Sequence, residues 1–299
     1  MKVKQKIVLE YLRARLNILA LISKEKAAKK AFELFSTPHN RQRKDNPPVY
    51  SKAEKLSFEM DGLTIKGFRW NAEAARKVMI IHGFESNSRN FEKYIAALIR
   101  QQYQVLAFDA PAHGKSDGKS IILPQYVQML QYAHTLFGPV QGYIAHSFGG
   151  LALAHYLEQV PHSAAVRAVL IAPATETTSA VDGFFNLLQL KTDIRKEFDE
   201  LILKKGGVPA SHYSIRRAMK SIQASVLWFH DHEDRITPLK DALMVKEDAA
   251  PNIEFVITEG LGHSRIYRDA AVLSRTIEFL TAPPRGAVKA VPNRNPEKA

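Results

Sequence analysis

Ser147 stands in the stretch AHSFGG, at the end of an apolar run, and His263 stands far downstream in EGLGHSRIY. Between them the segment HDHEDRITP supplies three carboxylates, Asp231, Glu233 and Asp234. A serine hydroxyl is a weak nucleophile at neutral pH and needs a base within hydrogen-bond reach, itself oriented by a third group. Serine, carboxylate and histidine in that chain order can form such a relay. The residues two before and two after the serine, Ala145 and Gly149, are small. They let the chain turn sharply from a strand into a helix and leave the hydroxyl exposed. A helix starting there also aims free N–H groups and its positive end at the site, which favours developing negative charge. The chemistry such a set performs is acyl transfer through an acyl-serine.

Those residues need a scaffold that gathers strand ends. Two strand-like runs, KLSFEM and LTIKGFRW, flank Asp61 and Gly62 and read as a hairpin. After them come short continuous apolar runs, KVMIIHG, QVLAFDAP, GYIAHS, AVRAVLIAP, SVLWFHD and IEFVITEG, separated by segments with helical spacing. Runs of that kind are strands buried on both faces. The expected fold class is α/β: a mostly parallel central sheet opened by an antiparallel hairpin, with helices on both faces. In such sheets reactive groups collect beyond the carboxyl ends of the strands, where Ser147, the acidic segment, His263 and the turn His82-Gly83-Phe84 all fall. Between IAPATE and SVLWFHD the connection is too long for a structureless loop, and we read it as a small helical cap inserted at about 175–220. Its apolar residues, Phe184, Phe185, Leu187, Leu188 and Leu190, either roof an acyl pocket or pack the insertion onto the body.

With these motifs in place, the chain from about 55 to 281 resembles the α/β-hydrolase fold family, in its serine-hydrolase, esterase- and lipase-like branch. AHSFGG is similar to the family's nucleophile elbow, GxSxG, with Ala145 in place of the first glycine. HDHEDRITP resembles the segment in which an aspartate three residues after a glycine is followed by a proline, which aligns Asp234 with the family's acid and leaves Asp231 second and Glu233 third. EGLGHSRIY matches the histidine loop, and IIHGFESNSRNF resembles the oxyanion-hole turn. The resemblance implies a triad of Ser147, Asp234 and His263, with the backbone N–H groups of Phe84 and Phe148 as the oxyanion hole. His82 then braces its turn, and the loop carrying Asp109, His113 and Ser116 is structural. It further implies a carboxylesterase-like enzyme acting on a small-molecule acyl ester, with no cofactor and no metal. Alternatives on the same residues are an acyltransferase, a carbon-carbon bond hydrolase, or a ligand-binding protein without catalysis.

Composition bounds the rest. The chain of 299 residues is 45% hydrophobic and 24% charged, an ordinary globular balance. It has no cysteine, which excludes disulfides and thiolate chemistry and fits a cytoplasmic location. The net charge of +12 looks like a nucleic-acid signal until it is divided along the chain. Residues 1–50 hold eight Lys and four Arg against four acids, a surplus of +8, and residues 282–299 hold two Lys and two Arg against Glu297, a surplus of +3. Only +1 is left for the body, so no nucleic-acid partner is expected. Residues 1–50 read as a basic amphipathic helix, over about 3–35, and a linker, ahead of a hydrolase domain at 51–281. The helix either packs on that domain or rests on an anionic membrane surface, giving a peripheral membrane contact. The Pro-rich basic segment 282–299 is expected to be disordered.

Overall fold

The computed structural model of the protein describes residues 3–39 and 46–282. The disordered tail expected from 282 onward therefore lies, from 283, outside the described residues, as does the part of the linker at 40–45.

Eight strands form one sheet: β1 (Glu54–Met60), β2 (Leu63–Trp70), β3 (Lys77–Ile81), β4 (Gln104–Phe108), β5 (Gly142–His146), β6 (Arg167–Ile171), β7 (Ser225–Asp231) and β8 (Ile253–Thr258). Their order is β1-β2-β4-β3-β5-β6-β7-β8. β1 and β2 pair antiparallel through the Asp61-Gly62 turn, where both residues take positive φ. β2 is antiparallel to β4, and every pair from β4 to β8 is parallel. The strand runs sort by a period of two: Val78, Ile80, Ile144, Val169 and Leu227 enter one core, and Met79, Ile81, Ala145, Leu170 and Trp228 enter the other. Both faces are covered, which is why these segments are continuously apolar.

The helices are α1 (Val3–Ile22), α2 (Lys24–Ser36), α3 (Glu92–Arg100), α4 (Leu123–Phe137), α5 (Phe148–Leu157), α6 (Thr177–Leu188), α7 (Thr192–Gly206), α8 (Ile215–Ala218), α9 (Leu239–Glu247), α10 (Gly262–Arg265) and α11 (Ala270–Thr281). α3 and α11 cover one face through Tyr94, Leu98, Val272 and Phe279. α4 and α5 cover the other through Tyr126, Leu130 and Leu153. α5 is apolar all round because residues 149–157 are all buried.

The N-terminal segment differs from the single helix that its apolar band implies. Ser23 is extended (φ −158°), and its Oγ accepts the N–H of Lys26. A serine in that role starts a new helix, so the band divides into α1 and α2. Buried Ala27, Ala28 and Ala31 bring α2 close to α7, where Phe32 meets Phe198 at 5.5 Å and Phe35 meets Phe184 at 5.3 Å between ring centroids. Phe184 and Phe185 thus belong to a packed seam between the insertion and the N-terminal helices, while Leu187 is exposed. The seam runs on to the body: Ile121 N–H donates to Ser36 O at 2.9 Å, and His39 N–H donates to Glu85 Oε1 at 3.0 Å. Among the described residues no helix is long and apolar enough to cross a membrane.

Candidate active site

β5 delivers Ser147 to the carboxyl edge of the sheet and α5 begins at the next residue. Ser147 has φ 54° and ψ −124°, a conformation that costs a non-glycine residue about 1–3 kcal/mol. It is held there on both sides, its N–H donating to Ile171 O at 3.1 Å and its C=O accepting from Gly150 at 2.9 Å and Ala174 at 3.0 Å. The small neighbours are a packing requirement. A Cβ on Gly149 would lie 2.5 Å from His82 O and 2.7 Å from Ile81 O, and backbone oxygens cannot step aside. Gly149→Ala is therefore expected to destabilise the fold by about 1–3 kcal/mol and to displace the elbow; denaturant unfolding and ester turnover measure the two effects. Ala145 is fully buried in β5, and its methyl group fits.

Three elements converge on the serine. α10 follows β8 and carries His263, whose Nε2 accepts the Ser147 hydroxyl at 3.0 Å. His263 Nδ1–H donates to Asp234 Oδ2 at 2.8 Å, from the loop after β7. Asp234 Oδ1 accepts the N–H groups of Ile236 at 2.8 Å and Thr237 at 2.9 Å. Burial alone would raise this carboxyl, but His263 and those N–H groups outweigh it and hold it below the usual range. Ser147, His263 and Asp234 thus lie in one unbroken hydrogen-bonded line.

Asp231, the second candidate acid, does other work. It accepts Thr258 Oγ1 at 2.7 Å and the N–H groups of Leu261 at 3.0 Å, Gly262 at 2.8 Å and Glu233 at 3.0 Å. It therefore fixes the loop that presents His263. Glu233, the third candidate, is exposed.

Further residues support the line. The Thr237 hydroxyl donates to Asp234 Oδ2 at 2.8 Å and lies 3.1 Å from His263 Nδ1. His230 accepts the Trp228 indole N–H at 3.4 Å and donates to Thr237 O at 2.8 Å, so a buried neutral imidazole braces the acid loop. Burial also depresses its basicity. His146 packs in tilted contact against His263 and Tyr267 at 4.8 and 4.5 Å between centroids, and burial, reinforced by the charge of His263, lowers its pKa to about 3. It is a neutral wall behind the histidine loop. The contacts of Thr237 and His146 with His263 are tertiary, which local spacing does not record.

The His82-Gly83-Phe84 turn abuts the serine: a Cβ on Gly83 would lie 2.9 Å from Ser147 Cβ. His82 donates from Nδ1 to Gly83 O at 2.8 Å and accepts Ala110 N–H at 2.9 Å, and burial lowers its pKa to about 4. Among the described residues neither the Phe84 nor the Phe148 N–H has a hydrogen-bond acceptor. Asp109, His113 and Ser116 bind backbone: Asp109 accepts Ser88 and Lys115 N–H groups, His113 accepts Glu85 N–H, and Ser116 accepts Lys66 N–H. Among the described residues no cluster of three His, Cys, Asp or Glu is placed to hold a metal ion.

The family model described as serine aminopeptidase, S33, matches residues 72–202, from just before β3 into α7. An esterase of Pyrococcus furiosus superposes with a TM-score of 0.61 at 20% identity, over 81% of this chain and 96% of that one. This chain has the α/β-hydrolase fold. The chain is also similar to the bifunctional esterase/perhydrolase DCH of Acinetobacter calcoaceticus, 22% identical over 73% of this chain and 95% of that protein. Est1E of Butyrivibrio proteoclasticus, solved with ferulic acid bound, superposes on the hydrolase with a TM-score of 0.59 at 20% identity, over 75% and 97% of the two chains.

Proposed function

We propose that this hydrolase cleaves a carboxylic ester of a small molecule through an acyl-enzyme on Ser147. The observation that carries the reading is the line from Ser147 Oγ through His263 to Asp234, at 3.0 and 2.8 Å, set at a strained strand-to-helix turn. In the first half-reaction Ser147 Oγ attacks the ester carbonyl carbon while His263 Nε2 takes the hydroxyl proton. Asp234, kept ionised by its N–H partners, stabilises the resulting imidazolium without taking its proton. The carbonyl oxygen becomes an oxyanion held by the N–H groups of Phe84 and Phe148, which have no competing acceptor among the described residues. Collapse expels the alcohol, protonated by His263, and leaves the acyl group on Ser147. Water then enters, gives its proton to His263, attacks the acyl carbon, and the acid departs as the proton returns to Ser147. None of these steps draws on a metal or cofactor.

Relatives named as esterases support an ester over an amide, whereas the matched family model is named for an aminopeptidase. A p-nitrophenyl ester series from acetyl to dodecanoyl, run beside aminoacyl p-nitroanilides, separates the two. The expected result is ester turnover that peaks at one chain length, with anilide turnover lower by about 10²-fold or more. Anilide turnover equal to that of the best ester would overturn the ester reading. The cysteine-free chain suits a reducing compartment, and we place the enzyme in the cytoplasm.

A further inference from the structure

We propose that the outer face of α1 is a docking surface for an anionic phospholipid membrane. α1 is apolar on two sides. Leu16 is buried, and Leu9, Leu12 and Leu19 are partly buried against the core. On the opposite side Ile7, Tyr11, Ile18 and Ile22 recur at spacings of four, seven and four, which stacks them on one helix face, with Leu21 beside them. These five residues are 60–78% exposed, and no described part of this chain covers them. Large apolar side chains gathered in one exposed stripe mark an interaction surface, whereas single exposed ones do not.

Charge decides the occupant. The arm of residues 1–50 carries a surplus of eight positive charges, and Glu10 is the one acid of α1. Arg13 and Arg15 are exposed on α1, and among the described residues neither has an ion-pair partner. A second copy of the chain would set this patch against itself, pressing like charges together. An anionic lipid surface instead receives the basic side chains at its headgroups while the stripe enters the acyl boundary. The helix is too short of apolar residues to span the bilayer and lies along it. The inward face of α1 stays packed on α2 and α6, so docking requires no unfolding and brings the insertion to the membrane. Lipid-like esters are then presented to the enzyme at that surface, a substrate class that rests on the ester reading; the docking itself does not.

The test uses the full-length protein in sedimentation with phosphatidylcholine–phosphatidylglycerol vesicles and with pure phosphatidylcholine vesicles. Deleting the arm would also uncover the Phe198 seam, so point variants are preferable. The wild type is expected to bind the anionic vesicles at least about tenfold more tightly than the neutral ones. The variant Ile7→Gln/Tyr11→Gln/Ile18→Gln/Ile22→Gln is expected to lose about tenfold or more of that binding, with unchanged circular dichroism and unchanged turnover of a short soluble ester. Arg13→Gln/Arg15→Gln is expected to weaken only the anionic arm. Wild type that stays in the supernatant with both vesicles overturns the proposal. So does a stable dimer that the four-glutamine variant dissolves, since a second copy then covers the stripe. Sedimentation reads binding and not turnover, so a failure here leaves the ester reading standing, and failure of the ester assay leaves the docking result intact.

Discussion

Ser147→Ala leaves a folded protein whose ester turnover falls by about 10⁴-fold or more. Alanine keeps the Cβ that already sits at φ 54°, so the elbow's strain is unchanged and the neighbouring hydrogen bonds from Gly150, Ala174 and Ile171 remain. What disappears is the oxygen 3.0 Å from His263 Nε2, the proposed nucleophile. His263 and Asp234 remain but have no hydroxyl to deprotonate. The loss is expected in kcat, with KM little changed, because the proposed oxyanion donors, the N–H groups of Phe84 and Phe148, are untouched. Turnover of the best ester, together with circular dichroism and thermal unfolding of the variant, checks both halves of the statement. A residual rate within about tenfold of wild type would remove Ser147 from the reaction.

The second large effect separates two aspartates three residues apart. Asp234→Asn is expected to lower kcat by about 10³–10⁴ with little loss of stability. The amide replaces one acceptor oxygen by a donor, so His263 Nδ1–H loses its partner and the tautomer that presents Nε2 to Ser147 is no longer enforced. Asp231→Asn is expected to do the reverse. Its kcat stays within about tenfold, but the fold loses about 1–3 kcal/mol because a ring of N–H and O–H donors around the carboxylate is broken. The pH dependence follows from the same ring. Burial would raise Asp231, but Thr258 and the Gly262, Glu233 and Leu261 N–H groups outweigh it and hold its pKa below the ordinary value. A carboxyl lowered in the folded state contributes stability above its unfolded pKa of about 4, and that stability is lost as pH falls through the folded value. Wild type should therefore lose stability on acidification below about pH 4, and Asp231→Asn should show a flatter acid limb in denaturant titrations. Kinetics and denaturation of the two variants side by side decide the assignment; equal kcat losses would contradict it.

Local pattern carried the sheet far. Each β-strand from β3 to β8 lies inside an apolar run that was readable without any coordinates; for β3 to β6 the reason is that a strand covered on both faces is apolar throughout. The elbow was readable as well, since the small residues around Ser147 answer to the backbone oxygens of Ile81 and His82. The resemblance of HDHEDRITP also ranked Asp234 ahead of Asp231 as the acid, and Asp234 is the one that meets His263; the work Asp231 does instead was not legible. Asp231 ends β7 and Asp234 lies three residues on, and it takes the fold to bring the Leu261 and Gly262 N–H groups onto Asp231. Thr237 escaped notice for a related reason, since its approach to His263 is a tertiary contact, and so did His230, which braces it from the end of β7. The arm shows another limit. An amphipathic period announces that a helix has an apolar face, yet it cannot say that α2 will meet α7, nor that α1 carries a second apolar stripe turned outward.

The most direct test of the central claim is a rapid-quench reaction with p-nitrophenyl acetate, read by intact mass and peptide mapping. The expected result is a burst of p-nitrophenol matched by one acetyl group per chain, located on Ser147 and absent from Ser147→Ala. Steady hydrolysis with no acetyl on Ser147, or an acetyl group that forms at the same rate on another residue of Ser147→Ala, would contradict it.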